Sequence, residues 1–449
     1  MGPAWFDSVW TGYFRLNGGG WTAGDATISI PLPDGRVIWL FGDSYTVAVD
    51  TTNNTLPCLF QVRNCFMVQD SVNRAQFTTV LDSTTTGVNM TTFKLVPNDT
   101  TLFWPGHGYV YNDTVYVFQE RYNSTTLAYD GCFLAKLTYP GLDQAGIFPA
   151  HFNGPNAIYG RAVVMDTMNN LLYIYGNKLN WIVWEPIVAR CNLSNPLLPW
   201  EYNTGSGWAV FPGQALKIGN DPVSPGFSVF KQGAMYYLVN QENGYLECGL
   251  DREIYSYEST LPWGPFSNKK LLYTEESQFN GVYLLTYNTQ AHPWNTENNE
   301  LLISYNVNDR VDSVAPNICP SQCKHIGTDR LDADTYRPKF VRVPMGLITG
   351  TGYGLYDAGA STYTAIEIKP GRNPVQRGVL FPCEIMASCS QSGTIQLKDL
   401  CGRTIISKPV ALHRGSNKLS LDAPAEQGIS LLGFFGSATQ HKIVKVAVQ

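Results

Sequence analysis

Two aspartates bracket the first segment of the chain that its sequence predicts to be a β-hairpin. Asp25 and Asp43 lie at the open end of the run Gly24–Ser44, whose centre is the turn sequence Pro33-Asp34-Gly35. Directly opposed Cβ atoms of neighbouring strands lie about 4.5–5.5 Å apart. Carboxyl groups about 5–5.5 Å apart are the pair used in retaining glycoside hydrolysis. This hairpin is therefore the first candidate for a catalytic site.

Whether the two aspartates face each other depends on the type of turn. A three-residue loop, with Gly35 in the left-handed region, pairs Leu32 with Arg36 and places Asp25 opposite Asp43. A two-residue Asp34-Gly35 turn instead shifts the register by one residue and puts the two carboxylates on opposite faces. The sequence leaves both alternatives open.

Neighbouring carboxylates have a defined chemistry. Their mutual repulsion raises the pKa of one group, which can then act as an acid while the other stays ionised. We expect Asp25 and Asp43 to form a nucleophile and acid/base pair, with Asp25 favoured as the nucleophile. The alternative is structural, because an aspartate at a strand end often caps a turn.

Length and composition limit the classes of protein to which the chain can belong. Its 449 residues allow two or three domains, or one large repeat domain with an appendage. Many aromatic residues, glycines and prolines, with only 15% charged residues, favour short strands and frequent turns. The net charge of −5, without a Lys/Arg cluster, argues against nucleic-acid binding. No apolar run reaches the 18 or so residues of a transmembrane helix.

The pattern of the first hairpin recurs along the chain. Each recurrence is a short turn rich in Asn, Asp or Gly, followed by an aromatic or β-branched strand that ends in a polar residue. The five strands are Val37–Asp43, Val115–Glu120, Leu171–Asn177, Met235–Asn240 and Leu301–Asn306. A repeat of this length predicts the four-stranded blades of a five-bladed β-propeller. An irregular β-sandwich with coincidental hairpins is the alternative.

The sequence pattern changes near Ile366–Asn373, a segment that resembles a linker. We therefore predict an all-β chain with a propeller over residues 1–366 and a small Ig-like β-sandwich over residues 367–449.

Equivalent hairpin ends of a propeller meet at one mouth of its central channel, so the polar residues there form a predicted binding site. Glu120 is a reserve acid, and Trp21 and Trp104 can stack on sugar rings. The predicted substrate-binding polar residues are His107, Arg161, Asn177, Glu242, His292 and Asn306. The structural alternatives are a surface pair of Glu120 with Arg121, and hydrogen bonds from Arg161 and His292 to backbone carbonyls between blades.

The cysteines and acidic residues allow few cofactor hypotheses. Either Cys58 with Cys65 or Cys319 with Cys323 could form a loop disulfide in an exported protein. Cys319, Cys323 and His325 could instead hold a metal, but no second ligand pair lies nearby. A structural Ca²⁺ in the channel has no supporting ligand run such as D-x-D-x-D-G. We therefore predict no cofactor.

Several motifs resemble those of a known propeller family. The segments on which this resemblance rests are Gly19-Gly-Trp-Thr-Ala-Gly-Asp25 with Leu40-Phe-Gly-Asp-Ser44, Tyr159-Gly-Arg161, Thr286-Tyr-Asn-Thr-Gln-Ala-His-Pro293 and Tyr336-Arg-Pro338. They are similar to a family of five-bladed propellers long catalogued as a domain of unknown function, some of whose relatives are endo-acting D-arabinan hydrolases. The resemblance implies that Asp25 and Asp43 are the catalytic groups.

The C-terminal segment resembles a different family. It carries Asn373-Pro374, a strand ending in Asp399-Leu-Cys-Gly-Arg403, Gly415-Ser-Asn-Lys-Leu-Ser-Leu421 and Lys442-Ile-Val-Lys-Val446. This order is similar to the C-terminal sorting domain of type IX secretion in Bacteroidetes. The resemblance implies interaction with a secretion machinery, and a secreted or outer-surface location.

Together these features predict an exported glycoside hydrolase that cleaves a polysaccharide, with an arabinofuranose-containing polymer as one candidate substrate. A non-catalytic carbohydrate-binding propeller is the first alternative. The second is a polysaccharide lyase that uses His107 or His292 with a tyrosine.

Overall fold

The chain divides into two units, Met1–Tyr353 and Gly354–Gln449. The structure is a computed structural model. It describes residues 3–95, 100–150, 157–180, 183–241, 252–309, 322–325, 327–350, 366–371, 373–387, 391–399, 404–413, 415–436 and 442–449. Each unit is built almost entirely of antiparallel strands.

The first unit contains five larger sheets, which we call blades 1 to 5. The turn residues explain why the chain reverses where it does, since Asn112, Asp113, Asn298 and Asn299 all have the positive φ of tight hairpin turns. The strands are Ile28–Pro31, Val37–Phe41, Cys65–Gln69 and Phe77–Val80 in blade 1; Thr101–Tyr111, Thr114–Asn123, Tyr129–Thr138 and Gln144–Pro149 in blade 2; Ala157–Asp166, Leu171–Asn180, Val183–Asn192, Glu201–Asn203 and Trp208–Ala209 in blade 3; Phe227–Gln232, Met235–Gln241, Glu253–Ser259 and Ser267–Thr274 in blade 4; Leu285–Glu297, Glu300–Asn308, Lys339–Pro344 and Trp5–Phe6 in blade 5.

The blades form a closed ring. The first strand of each blade contacts the first strand of the next, and that of blade 5 contacts that of blade 1. The ring is closed by the N-terminal strand Trp5–Phe6, which pairs with Lys339–Pro344 as the outer strand of blade 5. The all-β propeller predicted from the sequence is thereby confirmed, and the described residues place five sheets in its ring.

Asp7 reinforces this closure. Its carboxylate caps the helix Ser8–Tyr13 by accepting the N–H groups of Val9 and Trp10, and it also accepts Nε of Arg342 at 3.0 Å. Asp7 and Arg342 are both buried, so the removal of Arg342 would leave the carboxylate of Asp7 without this cation.

Short elements connect the blades. They comprise the helix Met345–Thr349, the 3₁₀ turns Pro212–Gln214 and Ala333–Thr335, and four two-stranded sheets: Ala23–Gly24 with Ser44–Tyr45, Thr55–Pro57 with Arg330–Asp332, Asp82–Ser83 with Asn89–Met90, and Gln278–Phe279 with Val282–Tyr283. Within the described ranges, no helix is both long and apolar enough to cross a bilayer.

The aromatic residues pack mainly between blades. Trp39 of blade 1, which is fully buried, contacts Trp10 at 5.9 Å and the His292 ring of blade 5 at 4.9 Å between ring centroids. A separate cluster joins blades 2 and 3 through residues such as Phe118 and Tyr159. Burial of such large side chains contributes about 1.5–3 kcal/mol each, so blade contacts supply much of the stability.

The second unit contains two sheets that share one apolar core. The first sheet holds Ile366–Pro370, Leu380–Ala387 and Gly415–Asp422; the second holds Thr404–Leu412, Gln391–Asp399, Gly428–Gly436 and Lys442–Val448. The strand Ile366–Pro370 pairs with Leu380–Ala387, so this unit starts before residue 367, the boundary that we expected from the sequence.

The disulfide differs from both sequence predictions. Cys58 bonds to Cys323, and both residues are buried beside the small sheet of Thr55–Pro57 with Arg330–Asp332. The predicted Cys58–Cys65 pair is wrong, and Cys65 is a free thiol. The Cys319–Cys323 alternative is wrong for the same reason, and Cys319 itself lies outside the described residues.

We expect non-reducing digestion of the native protein to release a peptide pair that links Cys58 to Cys323. The bond spans 265 residues, so the double variant Cys58→Ser/Cys323→Ser is expected to lose about 2–4 kcal/mol of the free energy of unfolding. Mass spectrometry and denaturant titration measure the two effects, with Cys191→Ser, a free buried thiol, as the control. A peptide that links Cys58 to Cys65 would contradict the structure.

Candidate functional site

The turn of the first hairpin is the three-residue loop that places the two aspartates opposite each other. The Leu32 N–H donates to Arg36 O at 2.8 Å, and Gly35 has a φ of +86°. A Cβ is disfavoured at this φ, which is why a glycine occupies the position. The three-residue alternative is therefore confirmed.

The pairing of the two strands that this turn sets continues as far as Asp25 and Asp43. The Asp25 N–H donates to Asp43 O at 3.3 Å, and the Gly42 N–H donates to Asp25 O at 3.0 Å. A Cβ on Gly42 would overlap Oδ1 of Asp25, so the absence of a side chain there makes room for the carboxylate. Asp25 thus lies directly across from Gly42 and Asp43.

The backbone immediately after Asp25 is strained. Ala26 and Thr27 have φ values of 74° and 53°, and a β-branched residue seldom adopts this region. Each such residue costs about 1–3 kcal/mol, and such strain clusters at functional sites. The Asn306 amide of blade 5 holds the kink, because its Nδ2 donates to Gly24 O at 3.2 Å and to Thr27 Oγ1 at 3.0 Å.

Asp43 is fixed by two donors from different parts of blades 1 and 2. Nε1 of Trp104 donates to its Oδ1 at 3.0 Å, and the Arg63 guanidinium lies 3.1 Å from its Oδ2. Burial raises the pKa of Asp43, while the charge of Arg63 and the two hydrogen bonds oppose this rise. Arg63 and Trp104 therefore stabilise the ionised form of Asp43.

Asp25 has a different environment. Burial, followed by the charge of Asp43, raises its pKa well above the usual range, and the hydroxyls of Tyr287 and Tyr336 offset this only in part. The Tyr287 hydroxyl lies 3.5 Å from Oδ2 of Asp25, which is a long contact. With no cation beside it among the described residues, Asp25 is the member of the pair that holds a proton more readily.

Glu120 and Arg161 form a buried ion pair behind Trp104. Glu120 is 1% exposed, and it also accepts the Tyr122 hydroxyl at 2.8 Å. The Tyr122 ring packs on Trp104 with centroids 4.7 Å apart. Burial raises the pKa of Glu120 despite the adjacent Arg161. The structure therefore places these two predicted site residues in a layer that supports Trp104, and Glu120 is paired with Arg161 rather than with Arg121.

The two predicted histidines differ in burial. His292 is fully buried, with Nδ1 2.7 Å from Ser29 Oγ and Nε2 2.9 Å from Ser304 Oγ, and burial lowers its pKa to about 3. His107 is half-buried, its Nδ1 lies 2.8 Å from Gly108 O, and burial lowers its pKa to about 4. His292 is thus a neutral bridge between blades 1 and 5, which corrects its expected place at the mouth.

Three further residues that were predicted to contact substrate are buried and support the fold instead. Asn306 is buried and holds the backbone around Asp25, as described above. Asn177 is buried and donates to Pro225 O at 3.1 Å, which joins blade 3 to the start of blade 4. Trp21 is a core residue whose ring lies 4.4 Å from that of Phe41. Glu242 lies outside the described residues.

Four residues of the site were not predicted as such: Arg63, Tyr287, Tyr336 and Asp309. Tyr287 and Tyr336 belong to motifs that resemble the propeller family, so the signal was present but carried no assigned role. Arg63 lies close to Cys65 in a polar segment without periodicity, and no local pattern indicates that it reaches Asp43.

Asp309 adds a third carboxylate to this region. It is buried, its Oδ2 accepts the Gln322 N–H at 2.9 Å, and burial raises its pKa to about 6. Tyr45 lies close enough to both Asp43 and Asp309 for each carboxylate to raise the pKa of its hydroxyl. Asp309 is therefore close enough to act electrostatically on Tyr45.

Within the described part of the chain, no cluster of three His, Cys, Asp or Glu side chains is placed to hold a metal ion. The site offers carboxylates, hydroxyls and aromatic rings. A pair of opposed carboxyl groups with unequal proton affinity can supply an acid and a nucleophile or base to one substrate.

We expect Asp25→Asn to be more stable than the native protein at pH 7. The pKa of Asp25 is raised in the fold above its ordinary value of 3.8, so its contribution to stability is complete below that pH and is lost as the pH rises. An uncharged Asn avoids this loss. Thermal melts should show a gain on the order of a few degrees at pH 7 that vanishes below pH 3.8.

The matched control is Asp34→Asn on the same hairpin. Hydrogen bonds from Arg36 lower the pKa of Asp34, so this variant should lose stability at pH 7. A melting temperature of Asp25→Asn below the native value at pH 7 would contradict the electrostatic description of the site.

Solved structures show what the fold is similar to. A structure described as "a putative hydrolase from Bacteroides ovatus" is 22% identical over 78% of this chain and 93% of its own, with a TM-score of 0.62. An α-L-arabinanase mutant from Cellvibrio cellulosa is 10% identical over 72% of this chain and 91% of its own, with a TM-score of 0.37. An α-L-arabinofuranosidase from Podospora anserina in complex with cellotriose is 12% identical over 76% of this chain and 95% of its own, with a TM-score of 0.40.

These likenesses concern the fold alone, which is that of a β-propeller. A search of curated proteins finds no match to the chain. The family model described as "Domain of unknown function (DUF5005)" matches residues 7–355, which include both aspartates and every strand of the five blades except Trp5–Phe6. The chain belongs to this family.

Proposed function

We propose that the protein is a glycoside hydrolase that cleaves a polysaccharide with Asp25 and Asp43. The observation that carries the proposal is the placement of two opposed carboxyl groups with unequal partners on one hairpin. Arg63 and Trp104 hold Asp43, whereas two tyrosine hydroxyls adjoin Asp25. This inequality is what acid/base and nucleophilic roles require.

The electrostatics favour one assignment of roles. Asp25, which holds a proton more readily, donates it to the glycosidic oxygen as the leaving group departs. Asp43, ionised beside Arg63, attacks the anomeric carbon and forms a glycosyl–enzyme ester. Asp25 then removes a proton from the water that hydrolyses this ester. This assignment is the reverse of the sequence expectation, which favoured Asp25 as the nucleophile.

Directly opposed Cβ atoms of adjacent strands lie about 4.5–5.5 Å apart. Carboxyl groups about 5–5.5 Å apart support retention of anomeric configuration, so we propose a retaining mechanism. Trp104, which is only partly buried, offers an aromatic surface beside Asp43 on which a sugar ring can stack. An arabinofuranose-containing polymer is the first substrate to examine, because the motifs of the chain resemble a family with D-arabinan hydrolases among its relatives.

The lyase alternative has less support from the geometry. It needs a histidine that can exchange protons with substrate. Both ring nitrogens of His292 are bonded to serine hydroxyls in the interior, and one nitrogen of His107 is bonded to the backbone. Non-catalytic carbohydrate binding by the same residues is distinguished from hydrolysis by the presence or absence of products.

We also propose that the protein is exported with the help of its second unit. The disulfide Cys58–Cys323 is compatible with an oxidising compartment. Expression in a Bacteroidetes host with type IX secretion, with and without residues 354–449, tests this proposal. The full chain should reach the medium or the cell surface and the truncated chain should stay inside; equal export of both would overturn it.

Hydrolysis by the native protein and by Asp25→Asn and Asp43→Asn tests the central proposal. We expect the native protein to release oligosaccharides from at least one member of an arabinan panel. Asp25→Asn should lose about 10²–10⁴-fold in rate through loss of acid catalysis, and Asp43→Asn should lose more. Asp34→Asn, at the tip of the same hairpin, should keep its rate. Undiminished cleavage by either site variant would remove that residue from the mechanism.

A further inference from the structure

The disulfide Cys58–Cys323 joins a loop of blade 1 to a loop of blade 5. Cys58 follows the short strand Thr55–Pro57, and Cys323 precedes its partner strand Arg330–Asp332. The N–H of Cys58 also donates to Asp329 O at 3.1 Å. A sheet of two short strands is marginally stable by itself in water, so the covalent bond adds a constraint that these strands do not provide.

On the blade 1 side, this loop places Arg63 beside Asp43. The N–H of Val62 donates to Ser44 O at 3.2 Å, and the N–H of Ser44 donates to Val62 O at 2.9 Å. The Arg63 guanidinium lies 3.1 Å from Oδ2 of Asp43, and its central carbon lies 4.7 Å from the ring centroid of Phe60. The Arg63 side chain is 37% exposed, so burial does not immobilise it. Its position therefore depends on the backbone of the loop and on Phe60.

On the blade 5 side, the other loop places Tyr336 beside Asp25. The backbone oxygen of Tyr336 accepts the N–H of Gly24, the residue before Asp25, at 3.2 Å. Tyr336 is buried, and a hydrogen bond from its hydroxyl lowers the pKa of Asp25. Each of the two loops thus supplies a partner to one aspartate.

A single apolar cluster connects the disulfide to both partners. Cys58, Cys323, Tyr45 and Tyr336 belong to this cluster of buried residues, and Phe60 packs against it. The ring centroid of Tyr45 lies 5.4 Å from that of Tyr336 and 6.5 Å from that of Phe60. Because interiors are close-packed, a displacement at the disulfide is transmitted to these rings.

We propose that the disulfide Cys58–Cys323 positions Arg63 and Tyr336 against the two aspartates. The two cysteines are then positioning residues for the proposed hydrolysis. When the bond is lost, Arg63 pairs less often with Asp43, and the ionised nucleophile loses its cation. The effect on rate rests on the proposed function, whereas the placement of Arg63 can be measured without any substrate.

The pKa of the Asp43 carboxyl group, measured by carbon-detected NMR without substrate, tests the placement. Arg63 lowers this pKa, so Arg63→Gln should raise it. The double variant Cys58→Ser/Cys323→Ser should show at least half of that rise, and so should the native protein reduced with dithiothreitol. NMR reports on the folded molecules, so a loss of stability alone does not produce the rise.

The matched control is Cys191→Ser, which replaces a free buried thiol and should keep the native pKa of Asp43. Dithiothreitol should not change this pKa further in the double variant, which lacks the bond. An Asp43 pKa that is the same with and without the disulfide would overturn the proposal.

Hydrolysis of an arabinan tests the effect on rate. The double variant should lose at least tenfold in kcat/KM, and the acidic limb of its pH profile should move to higher pH, because the reaction requires ionised Asp43. In an Arg63→Gln background the contact is already absent, so loss of the disulfide should reduce kcat/KM by a smaller factor.

An unchanged pH profile of the double variant, or an equal loss in both backgrounds, would overturn the role of the disulfide in placing Arg63. If the native protein cleaves no polysaccharide, the proposed hydrolysis fails, and the NMR measurement still decides the placement.

Discussion

Two carboxylates held side by side in a partly buried place are the constraint on which the site depends. Repulsion between Asp25 and Asp43 would separate them if the backbone allowed it, but the hairpin register does not. Arg63 and Trp104 stabilise the charge on one member only. The pair therefore lowers its energy by placing the negative charge on Asp43 and the proton on Asp25. The strained backbone after Asp25 is a further cost that the surrounding blades must compensate.

The ring of blades supplies this compensation from distant parts of the chain. Asn306 of blade 5 holds the backbone on both sides of Asp25, and Trp104 of blade 2 reaches Asp43. Glu120 and Arg161 act one layer further out, through Tyr122 and Trp104. Because the N-terminal strand closes blade 5, the geometry of the first hairpin depends on both ends of the propeller.

The parts that could be predicted from the sequence are those set by local chemistry. Turn residues such as Asn112 and Asp113, followed by aromatic or β-branched strands, indicated the hairpins. The sequence left two turn types open at Pro33–Gly35, and the structure selects the one that places the two aspartates opposite each other. The sequence does not show, however, which neighbouring residues a polar side chain near a strand end will contact. His292 therefore became a buried bridge between serine hydroxyls, and Asn306 became a backbone clamp. The partners of Cys58 and Asp43 depend on loop paths that no periodicity encodes.

The interaction of the two aspartates is tested most directly by the pKa of the Asp25 carboxyl group, measured by carbon-detected NMR in the native protein and in Asp43→Asn. We expect a native pKa well above the ordinary 3.8, because of burial and of the neighbouring charge. This pKa should fall clearly when Asp43 loses its charge. A native value near 3.8, or one that does not change in Asp43→Asn, would contradict the claim that the two aspartates act as an unequal, interacting pair.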